Sequence, residues 1–310
     1  MRNEFIDELI REARRNPRIF LIVGDLGFSV VEAFAAEFPD RFLNAGVAEQ
    51  GMTGIAAGLA SEGFQVFTYS IANFPTFRCA EQFRNDVAYH QLAVAAVAVG
   101  GGLAYGNLGY SHHAVQDLAL MRSFPGVIIA APGDPWEARA CVRFLSANPQ
   151  PAYLRLGKAG EPDIHAGNVN VRAGQLQTIR TPGLSGQRRA AILTTGAALK
   201  LGLDLVARSD LNEVWSLYSL PLWSREHAGR LVEFVRAHDR VAILEDHLAS
   251  GGFCSFVREV LEDEPELQVR IRGFSLDPKV CGMVANQAAL NLAGGLDPEL
   301  IASQLLRWFP

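Results

Sequence analysis

A chain of 310 residues with 49% hydrophobic and 20% charged residues has the composition of an ordinary globular protein and the length of about two domains. Its formal net charge of −5, without a domain-scale basic patch, argues against nucleic acid or a membrane surface as the main partner. The charged, amphipathic start of the chain is unlike a signal peptide. The four cysteines form neither a C-x-x-C pair nor a zinc-type spacing, so we expect a cytoplasmic protein with free thiols: Cys79, Cys141, Cys254 and Cys281.

The first half of the chain alternates short apolar runs with helical patterns. Apolar residues at positions 5, 6, 9 and 10 predict an opening amphipathic helix. Predicted strands are Ile19–Val23, Val66–Tyr69, Leu92–Val99, Val127–Ala131 and Ala152–Leu156. Predicted helices are Val30–Phe38, Gln50–Ser61, Thr76–Tyr89, Val115–Met121 and Pro135–Ala147. Continuous apolar strands bounded by turns indicate a parallel sheet covered by helices on both faces.

The second half of the chain begins after a change in amino-acid composition. Residues 161–189 are rich in Gly, Pro, Arg and Gln, which predicts a linker with one short strand near Val169–Val171. Predicted strands of the second unit are Ala191–Thr195, Glu213–Tyr218, Val241–Glu245 and Val269–Arg272, and its helices are Leu199–Ala207, Arg225–Ala237, Gly252–Leu261 and Pro298–Trp308. We therefore predict an α/β protein of two domains, residues 1–160 and 190–310, each a mainly parallel sheet covered by helices.

Polar and glycine-rich segments follow several predicted strands. Asp25 and Ser29 follow the first strand, Ser70 and Phe74 follow the second, and the loop Gly100–His113 follows the third. In open parallel sheets, ligands bind outside the carboxyl ends of the strands. These segments are therefore expected to converge on one crevice.

The segment FLNAGVAEQGMTGIAAGLA (residues 42–60) places one carboxylate, Glu49, at the start of a helix of small residues. Glycine costs a helix interior about 1 kcal/mol relative to alanine, so Gly51, Gly54 and Gly58 need a reason. The usual reason is close approach by another backbone or a ligand. The glutamate alone could simply complement the helix dipole.

The order of motifs along the chain resembles that of the transketolases. After the Glu49 segment come the loop GNLGYSHH, the run VQDLALMRSFPGVIIAAPGDPWEA and the strand AYLRLGK, as in the pyrimidine-binding domain of that family. LEDHLASGGFCSFVREVL and the closing LDPE helix resemble its C-terminal domain. The likeness covers nearly the whole chain and points to the separately encoded C-terminal half of a split transketolase.

The resemblance implies an enzyme that uses thiamine diphosphate (ThDP). Such an enzyme transfers a two-carbon ketol unit from a ketose-type donor to an aldehyde-type acceptor through a ThDP-bound carbanion. It implies that Glu49 activates the aminopyrimidine at N1′ and that His112 contacts substrate and intermediate. Cofactor contacts are implied for Phe74, which stacks on the pyrimidine, and for Asp25, Ile71 and Phe77. Substrate contacts are implied for Ser29, Arg155, His113 and Leu108, with Arg2 as a further phosphate candidate.

The chain departs from the family at the substrate loop. Asn107 and Leu108 stand where the family usually has acidic residues, as in GEDG, and a glycine replaces a phosphate-contacting histidine. Because a leucine cannot hydrogen-bond a sugar hydroxyl, we expect a donor or acceptor pocket altered from that of ordinary transketolase.

The chain also lacks the G-D-G…N motif that holds the divalent metal of ThDP in this family. We therefore expect no metal ligand in this chain. Mg²⁺ or Ca²⁺ would be held by a pyrophosphate-binding partner subunit in an α2β2 assembly, with activity only in that assembly.

Three alternatives stay open from the sequence. The chain could be the β subunit of a 2-oxo acid dehydrogenase E1 component, which shares the architecture and the activating glutamate. It could be half of a 1-deoxyxylulose-5-phosphate-synthase-like enzyme. It could also be a degenerate subunit kept for assembly or regulation.

Overall fold

The structure, a computed structural model, describes residues 1–182 and 189–309. The predicted linker, residues 161–189, therefore lies partly outside the described residues. Within the described part, two sheets with covering helices follow each other along the chain. The predicted fold class, α/β with mainly parallel sheets, is confirmed.

Seven of the described strands form the first sheet, in the order β10-β5-β6-β4-β3-β1-β2. Its strands are β1 (Ile19–Val23), β2 (Phe42–Asn44), β3 (Gln65–Ile71), β4 (Val94–Val99), β5 (Ile128–Ala130), β6 (Ala152–Leu156) and β10 (Leu222–Trp223). The six strands β1 to β6 pair in parallel, and β10 joins the edge antiparallel to β5. The helices are α1 (Arg2–Arg15), α2 (Glu32–Glu37), α3 (Glu49–Ser61), α4 (Ala80–Gln82), α5 (Asp117–Met121) and α6 (Pro135–Ala147).

Five described strands form the second sheet, in the order β12-β11-β8-β9-β7. They are β7 (Gln177–Arg180), β8 (Ala190–Thr194), β9 (Trp215–Ser219), β11 (Arg240–Leu248) and β12 (Ile271–Leu276). The sheet is parallel except that β7 runs antiparallel to β9. Its helices are α7 (Ala198–Val206), α8 (Gly229–Arg236), α9 (Phe253–Val260), α10 (Pro265–Gln268), α11 (Gln287–Ala293) and α12 (Pro298–Trp308). In the described residues, no helix combines the length and apolarity that crossing a membrane requires.

Most predicted elements are confirmed, but the predicted strand near Val169–Val171 is wrong. Val171 is buried with the core residues of α1 and α6, and the Val169 carbonyl accepts a hydrogen bond from Arg143. The segment therefore docks on helices, and the strand forms later, at Gln177–Arg180. Two edge strands lie outside the predicted domain whose sheet they join. Strand β10 belongs to the first sheet although it falls in the predicted second domain, and β7 belongs to the second sheet although it falls in the predicted linker.

The predicted helix Thr76–Tyr89 is also built differently. It begins earlier, as a π-helical turn at Phe74–Arg78, and continues through α4 into a second π-helical turn at Phe83–Ala88. The Thr76 hydroxyl donates to the carbonyl of Ala72, 2.7 Å away. Such π turns are rare and occur often at functional sites.

A cluster of buried polar side chains lies at the start of α6. Asp134 caps the helix by accepting from the Glu137 amide and also accepts from His165. Glu137 accepts from the Gly133 amide at 2.7 Å and from the Ser219 hydroxyl at 3.2 Å. Because the Glu137 carboxyl is removed from water, its pKa rises to about 7.

We expect Glu137→Gln to flatten the pH dependence of stability. Between the unfolded pKa of 4.5 and the folded pKa of about 7, unfolding releases a proton that the folded chain holds, so stability falls as pH rises through this window. The amide keeps the acceptor for Gly133 and Ser219 but does not titrate. The free energy of unfolding, measured with urea, should therefore fall less between pH 5 and pH 8 for this variant than for the wild type. Glu226→Gln at an exposed site is the control, and equal slopes for all three proteins would contradict the assignment.

Candidate active site

The carboxylate at the start of α3 lies at the carboxyl end of the first sheet. Glu49 is the first residue of α3, and only 4% of it is exposed. A β-carbon added to Gly24, just after β1, would lie 3.6 Å from Glu49 Cγ and 3.4 Å from Ser70 Oγ. The Glu49 side chain and Ser70 of β3 therefore both lie beside the residue that follows β1.

An arginine that sequence reasoning misses links this carboxylate to Phe74. Arg78 Nη1 lies 3.3 Å from Glu49 Oε2, and its guanidinium carbon lies 3.9 Å from the centre of the Phe74 ring. The π turn that begins at Phe74 ends at Arg78 and brings the two side chains together. The sequence carries no signal for this contact, because the π turn that makes it does not follow the α-helical periodicity.

The loop after β4 brings His112 to the same place. The ring centres of His112 and Phe74 are 5.5 Å apart, with the rings nearly perpendicular. The Asn73 side-chain amide donates to the carbonyls of Ser111 (2.9 Å) and His113 (3.2 Å), which ties the loop to the end of β3. The structure therefore brings Glu49, Phe74 and His112 into one site.

The two histidines of the loop differ in burial. His112 is half-buried, and its Nδ1 lies 2.9 Å from the Ser111 hydroxyl. His113 is 1% exposed, and its Nε2 lies 3.3 Å from the Gly106 carbonyl. His112 is thus the more accessible of the two rings.

Burial, then the positive charge of Arg78 and the neighbouring His113, lower the pKa of His112 from its ordinary 6.5. We expect Arg78→Gln to move the pKa of His112 back upward by the part that the charge causes, while burial keeps it below 6.5. Titration of the His112 ring protons by NMR measures both values. Arg84→Gln, which removes an exposed arginine beyond α4, is the control. A midpoint that is the same in wild type and Arg78→Gln would contradict this electrostatic coupling.

A cleft of about 370 Å³ opens beside Glu49 and Arg78. Its lining residues are Val47, Ala48, Glu49, Gln50, Gly51 and Arg78. Three buried polar atoms near the site have no hydrogen-bond partner within the described part of the chain: Ser70 Oγ, Asn73 Oδ1 and His113 Nδ1. A buried carboxylate, an aromatic face and unpaired polar groups are what a flat, nitrogen-containing ring requires, so this half of the site fits an aminopyrimidine.

Asp25 and Ser29 lie on a strained turn after β1. Both have left-handed backbone, with φ of +53° and +65°, and both are exposed. Asn44 holds Asp25 in place, donating to its Oδ1 at 2.9 Å and accepting from its amide at 3.1 Å. The Ser29 amide donates to Glu32. Strain of this kind costs about 1 to 3 kcal/mol and concentrates at functional sites.

The remaining predicted site residues are less enclosed or differently engaged. Ile71 ends β3 and is partly buried, whereas Phe77 and Leu108 are 44% and 53% exposed in this chain. Arg2 is half-buried on α1. Arg155 is 3% exposed and forms four hydrogen bonds to protein groups, so the structure places it under the loop of His112 and away from the open cleft.

In the described residues, no cluster of three or more His, Cys, Asp or Glu side chains could hold a metal ion. All four cysteines are free thiols, and three of them are buried.

Comparisons with known proteins all point to one family. Residues 1–160 match the family described as "Transketolase, pyrimidine binding domain". The chain is 34% identical to one of the subunits of the apulose-4-phosphate transketolase of Phocaeicola vulgatus, covering 99% of this chain and 96% of that one. It is 30% identical to a putative transketolase C-terminal section of Methanocaldococcus jannaschii, covering 99% and 95%.

A solved structure described as a split gene transketolase, an inactive beta4 tetramer, is similar along its whole length. The TM-score is 0.84 at 28% identity, and the match covers 99% of this chain and 96% of that one. The chain therefore belongs to the transketolase family, as the C-terminal subunit of a split, thiamine-diphosphate-dependent transketolase.

Proposed function

We propose that this chain supplies the pyrimidine-binding half of an active site that transfers a two-carbon ketol unit from a ketose-type donor to an aldehyde-type acceptor. The observation that carries the proposal is the meeting of buried Glu49, the Phe74 ring and His112 at the carboxyl end of one parallel sheet. The other half of the site would come from a partner chain.

Glu49 would hold the aminopyrimidine by a hydrogen bond to N1′ and share a proton with it. When bound, ThDP supplies the electron sink for breaking a carbon–carbon bond next to a carbonyl. Burial of Glu49 supports this role, because a hydrogen bond to a carboxylate is strongest where water is excluded. Arg78 would leave the Phe74 face and turn outward when the ring stacks there, and its half-exposed side chain has room to do so.

His112 would move protons at the substrate oxygen. Its lowered pKa keeps the imidazole neutral at pH 7, so one ring nitrogen can accept a proton while the other bonds the Ser111 hydroxyl. Asp25, Ile71 and Phe77 remain proposed cofactor contacts, and Ser29, His113 and Leu108 remain proposed substrate contacts. For Arg155 we propose a different role.

We propose an α2β2 assembly with a pyrophosphate-binding subunit that holds Mg²⁺ or Ca²⁺. The similar solved structure is described as an inactive beta4 tetramer, which supports a need for a partner. Buried free thiols support a reducing, cytoplasmic setting.

The substrate loop predicts a distinct specificity. We expect the assembled enzyme to turn over xylulose 5-phosphate plus ribose 5-phosphate poorly. Asn107 and Leu108 replace the family's acidic pair, whose carboxylates would accept hydrogen bonds from sugar hydroxyls. Replacing both, as Asn107→Glu with Leu108→Asp, should raise kcat/KM for this pair about tenfold or more. Steady-state assays of the reconstituted complex measure both.

Leu292→Asp is the matched control for the loop variant, since Leu292 and Leu108 are both 53% exposed. Robust wild-type turnover of the pentose phosphates would refute the altered pocket. The relative named for apulose 4-phosphate supports testing a phosphorylated ketose as donor first.

The alternatives predict other reactions. An E1 β subunit would support decarboxylation of a 2-oxo acid with acyl transfer to lipoamide. A 1-deoxyxylulose-5-phosphate-synthase-like half would join pyruvate to an aldehyde. A degenerate subunit would support none of these, and the retained set Glu49, Phe74 and His112 argues against it.

A further inference from the structure

A buried arginine joins the two sheets beneath the loop that carries His112. Arg155 projects from β6, where it pairs with Ala98 of β4, and 2% of its side chain is exposed. Its Nε donates to Asp117 Oδ2 at 2.7 Å, and its Nη1 donates to Asp246 Oδ1 at 2.7 Å. Asp117 belongs to α5 of the first unit and Asp246 to β11 of the second. One guanidinium therefore spans both units.

The same guanidinium also holds the base of the loop. Arg155 Nη2 donates to the Ala114 carbonyl at 2.9 Å. Ala114 in turn exchanges two backbone hydrogen bonds of 2.9 Å with Gly102, which closes residues 102–114 into a ring. The next residue, Val115, accepts from the Leu248 amide of β11. His112 thus lies on a loop whose closing pair is bonded to Arg155.

The loop packs so closely on this ion-pair network that positions 101 and 102 have no room for a side chain. A β-carbon at Gly101 would lie 2.8 Å from Arg155 Nε, and one at Gly102 would clash with the Asp246 carboxylate. Gly102 also has a φ of +65°, which glycine adopts at little cost. The glycines thus let the loop rest directly on the charged groups.

The charges explain why Arg155 stays in place. One guanidinium faces two buried carboxylates, and Tyr153 also donates to Asp117 Oδ2 at 2.6 Å. Removing an arginine from two buried carboxylates would leave both without their counter-charge, which is costly. Moving Arg155 to bind a substrate phosphate would incur the cost of leaving these two carboxylates unpaired.

We propose that Arg155, held by Asp117 and Asp246, is a positioning residue that sets the loop of His112, and that it is not a phosphate ligand. Because the charge of Arg155 is paired with Asp117 and Asp246, it does not contribute to the binding of a substrate phosphate. The substrate specificity of the site then comes from the residues of the loop itself. This inference rests on the proposed function only for the role of His112. The position of the loop is testable without cofactor, partner or substrate.

The test is amide hydrogen exchange of the full chain in the wild type and in Arg155→Lys. Lysine keeps the charge but cannot bond Asp117, Asp246 and Ala114 together. We expect exchange of the peptides spanning residues 100–114 to rise about tenfold or more, with the β4 and β8 amides unchanged. Arg122→Lys is the matched control, because Arg122 also joins the two units, through Glu259 and the Gly251 carbonyl, and does not bond the loop.

Unchanged exchange of residues 100–114 in a folded Arg155→Lys chain would overturn the proposal. If that variant does not fold, Asp246→Asn, which keeps the size of the side chain but removes the charge that holds Arg155, serves in its place with the same expected and contrary results. In the assembled enzyme, a positioning role predicts a fall in kcat with little change in KM, whereas a phosphate ligand predicts a rise in KM for phosphorylated sugars. Failure of ketol transfer in every variant, wild type included, would count against the proposed function and leave the exchange result standing.

Discussion

Replacing Glu49 by Gln is expected to lower ketol transfer by the assembled enzyme about 100- to 10,000-fold, the range for a lost proton-transfer group. The carboxamide fills the same space at the start of α3 but cannot share a proton with the cofactor ring. Assembly and folding should be unaffected, because the Glu49 carboxylate pairs with the half-exposed Arg78 at 3.3 Å and not with a buried charge of the core. Steady-state rates of complexes with equal subunit content measure the effect.

Glu62→Gln is the matched control for this variant. Glu62 follows the same helix at its other end and is exposed. We expect wild-type rates for Glu62→Gln. Rates within about twofold of wild type for Glu49→Gln would contradict the catalytic assignment and favour an assembly role.

Replacing Gly54 by Leu is expected to separate folding from assembly. A β-carbon at Gly54 or Gly58 would meet no atom of the described residues within 4 Å, and both glycines are exposed, as is Ile55 beside them. In the isolated chain, leucine should stabilise α3 by roughly 0.8 kcal/mol, because glycine is a poor helix former. If this face packs closely on another chain, the same leucine should weaken assembly about 30-fold or more.

Two measurements on the Gly54→Leu chain decide the matter. Thermal unfolding of the isolated chain reports the stability, and analytical ultracentrifugation with the partner reports the affinity. Gly229→Leu is the control, since Gly229 is an exposed helical glycine with equally open surroundings on α8. Normal assembly of Gly54→Leu would mean that the glycine-rich face of α3 is not the interface.

Elements with a strong local signal are predictable residue for residue. Helix α6 begins with Asp134 capping and Pro135 in the first turn, and strand β6 is apolar at every position except Arg155, so local chemistry alone defines both. Strands β2 and β10 are only three and two residues long. Their pairing depends on distant partners, and no local pattern could indicate it.

The candidate site divides in the same way. Glu49, Phe74 and His112 follow predicted strands or begin predicted helices, so the rule for parallel sheets could bring them together. Arg78 escapes sequence reasoning because its place over Phe74 depends on a π turn, which periodicity does not reveal. The environment of Arg155 is equally hidden, since Asp246 lies 91 residues further along the chain.

The central claim is that this chain is half of an active site, and purification of the tagged chain from its native host tests it most directly. We expect a second chain carrying a G-D-G…N motif to co-purify together with ThDP and Mg²⁺ or Ca²⁺. We also expect ketol transfer to be present in the complex and absent from the isolated chain. Recovery of the chain alone, without ThDP, or ketol transfer by the chain alone, would contradict the claim.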